Sequence, residues 1–252
     1  MAVSKVNFRS EVLGKATSMN IYLPDKGNSP LIPVIYLLHG WSDDDEAWLT
    51  ATSLERYASE YEFAIVMPQV DLSYYADMVN GNRYWTFLSE ELPALVRKWF
   101  RISDQKEASF VAGLSMGGYG ATKLALTFPN RFNSFASLSG AMDAVELWKR
   151  DKDRDKAFAD IFGSIQQLAG SENDLFYLLE KLKEDNQVKM LQICGTEDFL
   201  YQDNLKFREK AQKKIRDFHY IEMPGDHNWA FWDKTIQIVL KWFDENYKEA
   251  NN

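Results

Sequence analysis

Short apolar runs and amphipathic segments alternate along the chain. Four runs of nearly continuous apolar residues, each closed by Gly or Pro, are typical of strands buried on both faces. A segment at 17–24 instead alternates polar and apolar residues, as a half-buried strand does, and weaker strand signals lie at 133–140 and 217–225. The four buried runs are PVIYLLHG (33–40), FAIVMP (63–68), SFVAG (109–113) and KMLQICG (189–195).

Helix-like segments separate these runs. Apolar residues recur at helical spacing in 83–100, where Pro93 predicts a kink, and further helices are predicted at 116–128 and 228–247. Strands that alternate with helices indicate an α/β fold with a mostly parallel sheet covered on both faces. The first ~20 residues would supply an antiparallel edge to that sheet.

The segment at 141–187 interrupts the alternation of strands and helices, because it carries no strong strand signal. It contains a charged run, WKRDKDRDKAF (148–158), and a helix-like piece at 174–185. Two interpretations stay open: an inserted helical cap beside an active site, or ordinary connecting helices. The charged run itself is typical of a solvated surface.

Composition limits the class of protein. The chain has 252 residues and a net charge of −8, which disfavours nucleic acid or an anionic membrane as the main partner. Cys194 is the single cysteine, so neither an intramolecular disulfide nor a cysteine zinc cluster can form. The sequence begins without a signal-peptide pattern and has no apolar run of membrane-spanning length. We therefore expect a cytoplasmic protein without a membrane partner, and a homo-oligomer stays open.

The stretch VAGLSMGGYG (111–120) holds the candidate nucleophile. Gly113, Ser115 and Gly117 fit the pattern G-x-S-x-G, which chance alone produces about once in ten chains of this length. Its context adds weight, because a predicted strand precedes it and a predicted helix follows, as in a nucleophile elbow. A phosphate-binding loop is disfavoured, because neither the G-x-G-x-x-G spacing nor the lysine of a P-loop is present.

A serine nucleophile needs a general base, and the chain has three histidines. His39 ends a predicted strand ahead of the serine, where bracing a turn by hydrogen bonds suits it better. His219 lies within an alternating strand pattern. His227 follows the last predicted strand and precedes the last helix, so it is the candidate base.

The candidate acid lies just past the run at 189–195. We favour Asp198, which sits deeper in the turn, and keep Glu197 as the reserve; Asp226 beside His227 is expected to be exposed. The backbone N–H groups of Met116, directly after the serine, and Trp41, after the 33–40 strand, are the candidate oxyanion-hole donors.

With these residues in place, the sequence resembles the esterase D-like α/β-hydrolases, most closely the tributyrin esterase type. The resemblance rests on VIYLLHGWSDDDEAWL, FVAGLSMGGYGATKLAL, CGTEDFLY and GDHNWAFW, and it runs over nearly the whole chain. It implies one domain over 1–252 with an eight-stranded, mostly parallel sheet and a helical insertion at about 141–187. It also implies a serine carboxylesterase for short acyl esters that needs no metal or organic cofactor. Its site residues would be a triad of Ser115, Asp198 and His227 with oxyanion donors at Trp41 and Met116.

Two other activities and one other class stay open. The same resemblance includes S-formylglutathione hydrolases, and feruloyl or acetyl esters are further candidate substrates. From a different class, the chain could be a non-catalytic binding protein with this fold, although such proteins typically lack a triad member.

The loop after Trp41 departs from the family pattern, because Asp43, Asp44, Asp45 and Glu46 make it acidic. One interpretation is a capping cluster for a helix that starts near Ala47. The other is an acidic rim that repels anionic substrates. Four tryptophans, at 41, 48, 229 and 232, lie close in the sequence to the candidate site residues. Such residues are more typical of a protein core than of a binding pocket.

Overall fold

A single sheet organises the chain in the computed structural model, which describes residues 1–27, 30–183, 185 and 188–251. Within these residues the sheet has eight strands in the order β1-β2-β4-β3-β5-β6-β7-β8. The strands are β1 (Ala2–Ser10), β2 (Lys15–Leu23), β3 (Val34–Leu38), β4 (Ala64–Pro68), β5 (Ser109–Leu114), β6 (Ser134–Leu138), β7 (Lys189–Gly195) and β8 (Asp217–Met223).

The sheet is antiparallel at one edge and parallel elsewhere. β1 pairs with β2 and β2 pairs with β4 in antiparallel fashion, whereas β4, β3 and the strands from β5 to β8 run parallel. The predicted fold class, an α/β-hydrolase fold with a mostly parallel eight-stranded sheet, is confirmed.

Helices cover both faces of the sheet. α1, α2 and α11 pack on one face, and the others pack on the opposite face. The helices are α1 (Ala47–Ala51), α2 (Leu54–Ala58), α3 (Tyr84–Thr86), α4 (Leu92–Trp99), α5 (Met116–Thr127), α6 (Ala144–Arg150), α7 (Asp155–Phe162), α8 (Ile165–Leu168), α9 (Leu175–Lys181), α10 (Tyr201–Lys214) and α11 (Trp229–Asn251).

The continuous apolar runs follow from this layering. In β3, Val34, Tyr36 and Leu38 face one core, and Ile35 and Leu37 face the other. Successive strand side chains point to opposite faces, so a strand covered on both sides is apolar at every position.

The segment at 83–100 is not one regular helix. A π-helical turn at Phe87–Glu91 separates α3 from α4, and Pro93 lies in the first turn of α4. A proline inside a helix cannot donate its backbone hydrogen bond and crowds the carbonyl four residues earlier. The wider π turn accommodates this just ahead of Pro93, so the predicted irregularity is present and takes this form.

The segment at 141–187 is helical and lies between β6 and β7, although residues 184, 186 and 187 fall outside the described residues. Side-chain caps start α6 and α9: Asp143 accepts from the N–H of Glu146 for α6, and Asp174 accepts from the N–H of Phe176 for α9. Its charged run is only partly solvated, because Phe158 within it is fully buried.

Candidate active site

Ser115 occupies the sharp turn between β5 and α5. Its backbone has φ 52° and ψ −117°, a left-handed conformation that costs a residue with a side chain about 1–3 kcal/mol. Its N–H donates to the Leu138 carbonyl at 2.9 Å, and its carbonyl accepts from the Ala141 N–H at 3.0 Å. These bonds to the neighbouring β6 region hold the strained turn at the carboxyl edge of the sheet.

The two motif glycines are required by close backbone contacts. A Cβ on Gly113 would lie 2.3 Å from the carbonyl oxygen of Gly117, and a Cβ on Gly117 would lie 2.3 Å from the carbonyl oxygen of Leu38. Neither backbone atom can rotate away as the end of a side chain could. The turn around Ser115 therefore closes only with glycine at both positions.

Ser115, His227 and Asp198 form an unbroken hydrogen-bonded chain. The Oγ of Ser115 lies 3.0 Å from Nε2 of His227. Nδ1 of His227 lies 2.9 and 3.0 Å from the two carboxylate oxygens of Asp198. A carboxylate only accepts hydrogen bonds, so the imidazole proton belongs on Nδ1 and Nε2 is left to accept the serine hydroxyl. The structure thus brings together the three residues selected from the sequence.

Asp198 is held rigidly for its contact with His227. Its side chain is fully buried, and one carboxylate oxygen also accepts from the Leu200 N–H at 2.8 Å. Glu197, the reserve candidate, points elsewhere: its carboxylate accepts from the N–H of Gly225 and the hydroxyl of Thr196. Glu197 is exposed, and it links the loops that carry Asp198 and His227.

The other two histidines lie apart from this chain. His39 is buried, its Nδ1 donates to the Gly40 carbonyl at 2.8 Å, and its Nε2 accepts from the Val70 N–H at 3.3 Å. It therefore braces the turn after β3, as predicted. Burial lowers the pKa of this ring, which favours the neutral form that these two bonds require. His219 lies in β8 and is exposed.

The two candidate oxyanion-hole residues are close to Ser115 in the fold. Met116 is the first residue of α5, and the first N–H groups of a helix have no carbonyl partner within it. Trp41 follows Gly40, whose Cα lies against Ser115: a Cβ added there would be 3.7 Å from the serine Cβ. Trp41 and Met116, the two donors expected from the sequence, thus both lie next to Ser115 along the chain or one residue from a contact with it.

The acidic loop is not a simple helix cap. Glu46 occupies the N-cap of α1 without a side-chain cap bond, and Asp44 accepts from the Glu46 N–H at 2.9 Å. Asp45 is buried and accepts from the Asn20 side chain at 3.2 Å. Asp43 accepts from the Gly40 N–H at 3.2 Å and lines the cavity around Ser115. The carboxylates therefore fix the loop in three different ways.

A cavity of about 290 Å³ opens over Ser115. Aromatic rings form part of its wall: the rings of Phe199 and Trp232 lie 4.6 and 4.9 Å from the imidazole of His227, centroid to centroid. Trp48 lies in the core, as expected. Trp41, Trp229 and Trp232 line the cavity instead, although the sequence interpretation favoured a core position for them. The lining residues are Gly40, Trp41, Ser42, Asp43, Leu114, Ser115, Arg154, Phe199, His227, Trp229 and Trp232.

Arg154 and Phe199 were missed from the sequence. Arg154 lies in the charged run of the 141–187 segment, pairs with Asp151 at 2.9 Å and stacks its guanidinium 5.3 Å from the Trp41 ring centre. Nothing in a charged run distinguishes a charged side chain that turns inward from its solvated neighbours. Phe199 directly follows Asp198, and that adjacency was the available signal.

Within the described part of the chain, no cluster of three His, Cys, Asp or Glu side chains is arranged to hold a metal ion. Among the residues that the structure describes, no helix is long and apolar enough to cross a membrane.

Comparison with known proteins gives the family of this chain. The Esterase family model matches residues 10–243. The chain belongs to this family. An acetyl esterase of Caldicellulosiruptor saccharolyticus is 31% identical, over 97% of this chain and 99% of the relative. These matches place the protein among the esterase D-like α/β-hydrolases.

Solved structures of the family superpose closely. The fluorophosphonate-binding serine hydrolase F of Staphylococcus aureus has a TM-score of 0.90 at 33% identity, covering 96% of this chain and 98% of its own. An S-formylglutathione hydrolase of the same organism has a TM-score of 0.85 at 34% identity, with the same coverage. The protein is accordingly a serine esterase, in the class of carboxylic ester hydrolases.

Proposed function

We propose that this esterase hydrolyses short-chain acyl esters through a catalytic triad of Ser115, His227 and Asp198. The observation that carries the proposal is the hydrogen-bonded chain from the Ser115 hydroxyl to the buried Asp198 carboxylate. The strained backbone of Ser115 supports it, because strain of this kind is retained where it serves a reaction.

The acylation step follows from the donor and acceptor roles. His227 Nε2 takes the proton of Ser115 as Oγ bonds to the ester carbonyl carbon. The N–H groups of Trp41 and Met116 stabilise the negative charge on the carbonyl oxygen. The carbon–oxygen bond to the alcohol then breaks, and His227 returns the proton to the leaving alcohol. Asp198 keeps the proton on Nδ1 and stabilises the imidazolium.

Deacylation repeats these steps with water. His227 Nε2 removes a proton from water as its oxygen attacks the acyl-enzyme. The second tetrahedral intermediate releases the carboxylic acid, and Ser115 recovers its proton from His227. Each proton removed is thus returned, and the side chains present suffice for both half-reactions.

The cavity supports a preference for short acyl groups. Its volume of about 290 Å³ is at the lower limit of common ligand sites, and Trp41, Trp229 and Trp232 wall it. We expect tributyrin and other esters of two to four acyl carbons to fit, and longer chains to be excluded.

The test is the rate of p-nitrophenol release from acetyl, butyryl and octanoyl esters. We expect kcat/KM to be highest for the acetyl or butyryl ester and at least tenfold lower for the octanoyl ester. An octanoyl ester turned over as fast as the butyryl ester would contradict the proposed size limit.

A second candidate activity is hydrolysis of S-formylglutathione. Arg154 places a cation in the cavity wall, which suits the carboxylates of glutathione, whereas Asp43 opposes them. A kcat/KM for S-formylglutathione above that for p-nitrophenyl butyrate, lost in Arg154→Gln but not in Lys156→Gln, would favour this activity.

We also propose that the protein is cytoplasmic and has no nucleic-acid partner. The net charge of −8 supports the second point, and the buried free thiol of Cys194 is compatible with a reducing compartment. Cell fractionation with an antibody to the protein tests the location.

A further inference from the structure

A buried asparagine on α10 lies between the nucleophile and the acid of the proposed triad. Asn204 is in the first turn of α10, and its side chain is fully buried. Asparagine is a poor helix former, and a buried amide is costly unless its polar atoms find partners. Asn204 lies outside the lining of the cavity over Ser115. The bonds of its side chain show what it does there.

The side-chain amide of Asn204 joins three elements of the fold. Its Nδ2 donates to the carbonyl of Gly140, just after β6, at 2.9 Å. It also donates to the carbonyl of Leu200, just before α10, at 2.9 Å. Its Oδ1 accepts from Nε2 of Gln192 in β7 at 2.9 Å. Carbonyls only accept hydrogen bonds, so these partners use both hydrogens of Nδ2 and fix the orientation of the amide.

Each of the two carbonyl partners leads on to a member of the triad. The residue after Gly140 donates its N–H to the Ser115 carbonyl at 3.0 Å. The N–H of Leu200 donates to a carboxylate oxygen of Asp198 at 2.8 Å. Asn204 therefore connects the segment that holds the backbone of the nucleophile to the segment that holds the carboxylate of the acid.

This connection spans a separation on which the triad depends. β6 lies between β5, which ends at the turn of Ser115, and β7, which leads to the loop of Asp198. Two strand spacings of about 4.8 Å each thus separate the two strands. The rigid imidazole of His227 has to reach the hydroxyl at one end and the carboxylate at the other. A displacement of about 1 Å in such an arrangement can cost a factor on the order of 10² in rate.

We propose that Asn204 is a positioning residue for ester hydrolysis, which holds the loop of Asp198 at a fixed distance from the turn of Ser115. This role rests on the proposed triad. Asn204 acts through Asp198 and touches no substrate, so its loss lowers kcat and leaves KM nearly unchanged.

Asn204→Leu tests the proposal, because leucine is of similar size and has no donor. With p-nitrophenyl butyrate we expect kcat to fall about 10- to 100-fold and KM to stay within threefold of wild type. The same substitution is then made in Asp198→Asn, where the carboxylate is already lost. There Asn204→Leu should lower kcat less than twofold, because two changes that act through one group are not additive.

Asn246→Leu is the matched control. Asn246 is a buried asparagine in α11 whose Nδ2 also donates to the carbonyl four residues earlier, that of Trp242, at 2.9 Å. Its Oδ1 accepts from Lys189, which begins β7 at the sheet edge opposite Ser115. We expect a decrease in melting temperature comparable to that of Asn204→Leu, but a kcat within twofold of wild type.

Three results overturn the proposal. The first is an unchanged kcat in Asn204→Leu. The second is an equal loss of kcat in the wild-type and Asp198→Asn backgrounds, because Asn204 would then only stabilise the fold. The third is a loss in Asn246→Leu as large as that in Asn204→Leu. An Asp198→Asn variant as active as wild type overturns the triad as well, which distinguishes the two failures.

Asn204→Ser is the second variant, used in the same cycle if Asn204→Leu does not fold. A serine hydroxyl within a helix can donate to the carbonyl four residues earlier, here that of Leu200. With one donor it cannot also serve Gly140. We therefore expect the same pattern of kcat in the two backgrounds, and equal losses in both overturn the proposal again.

Discussion

Nδ1 of His227 lies 2.9 Å from one carboxylate oxygen of Asp198 and 3.0 Å from the other, and the Asp198 side chain is fully buried. The two residues approach from loops that follow adjacent parallel strands, β7 and β8. This contact selects the imidazole tautomer in which Nε2 is free to accept the Ser115 proton.

Asp198→Asn tests that role. The amide can donate to Nδ1 and thus favours the wrong tautomer, so we expect kcat/KM for p-nitrophenyl butyrate to fall by about 10³–10⁴. The melting temperature should change little, because Asn has nearly the same shape. Steady-state kinetics and a thermal melt on the same preparation measure both effects.

Glu197→Gln is the matched control, because Glu197 is the neighbouring carboxylate that the sequence alone could not exclude. Its amide oxygen can still accept from Gly225, and we expect kcat/KM to stay within tenfold of wild type. A larger loss in Glu197→Gln than in Asp198→Asn would show that the acid is assigned to the wrong residue.

The tight turn at Ser115 predicts a stability effect. Gly117→Ala places a Cβ against the Leu38 carbonyl, and we expect the free energy of unfolding to fall by about 3 kcal/mol, near the upper limit for overpacking. Gly14→Ala is the control: its φ is 66° but nothing lies within 4 Å, so the loss should be about 1 kcal/mol. Urea unfolding measures both, and equal losses would mean that the contact with Leu38 is not limiting.

His39 predicts a pH dependence of stability. Because burial lowers the pKa of His39, its protonation favours the unfolded chain. The stability that depends on neutral His39 is therefore present above pH ~6.5 and is lost as the pH falls below it, by at most ~1.4 kcal/mol per pH unit.

In His39→Gln this loss should disappear, because Gln offers a similar donor and acceptor without titrating. Urea unfolding at pH 7.5 and 5.5 measures the difference in unfolding free energy between wild type and variant. We expect the difference to narrow at pH 5.5; a difference that is constant or widens would contradict the account.

The acidic loop predicts a substrate preference. Asp43 lines the cavity over Ser115, whereas Asp44 is exposed. Neutral esters should therefore be hydrolysed faster than acidic esters of the same size at low salt. Asp43→Asn should raise the relative kcat/KM of the acidic ester by about threefold to tenfold, and Asp44→Asn by less than twofold. Arg154→Gln should shift the ratio in the opposite direction. Equal rates for neutral and acidic esters in wild type would remove the role of Asp43.

The sequence predicted the sheet and the hydrogen-bonded chain because both leave local signals. Buried strands are apolar at every position, the turn at Ser115 requires glycines at 113 and 117, and three histidines allowed selection by elimination. The sequence also predicted the antiparallel edge, but it did not distinguish β1 from β2 as a strand of its own.

The cavity walls were much harder to predict. Arg154 reaches the cavity through the packing of α6 and α7, and its charged neighbours in the sequence face solvent. Trp229 and Trp232 have the helical spacing of core residues, and only the position of α11 decides that they also line the cavity. Such contacts depend on tertiary placement, for which a single sequence carries no periodic signal.

The central claim is that the turn after β5 presents Ser115 for attack. The most direct measurement is the intact mass of the protein after reaction with an alkyl fluorophosphonate probe, which loses fluoride as the serine Oγ bonds to phosphorus, followed by peptide mapping. We expect one adduct per chain, located on Ser115, and none in Ser115→Ala. A wild-type protein that stays unmodified, or an adduct that persists in Ser115→Ala, would contradict the account.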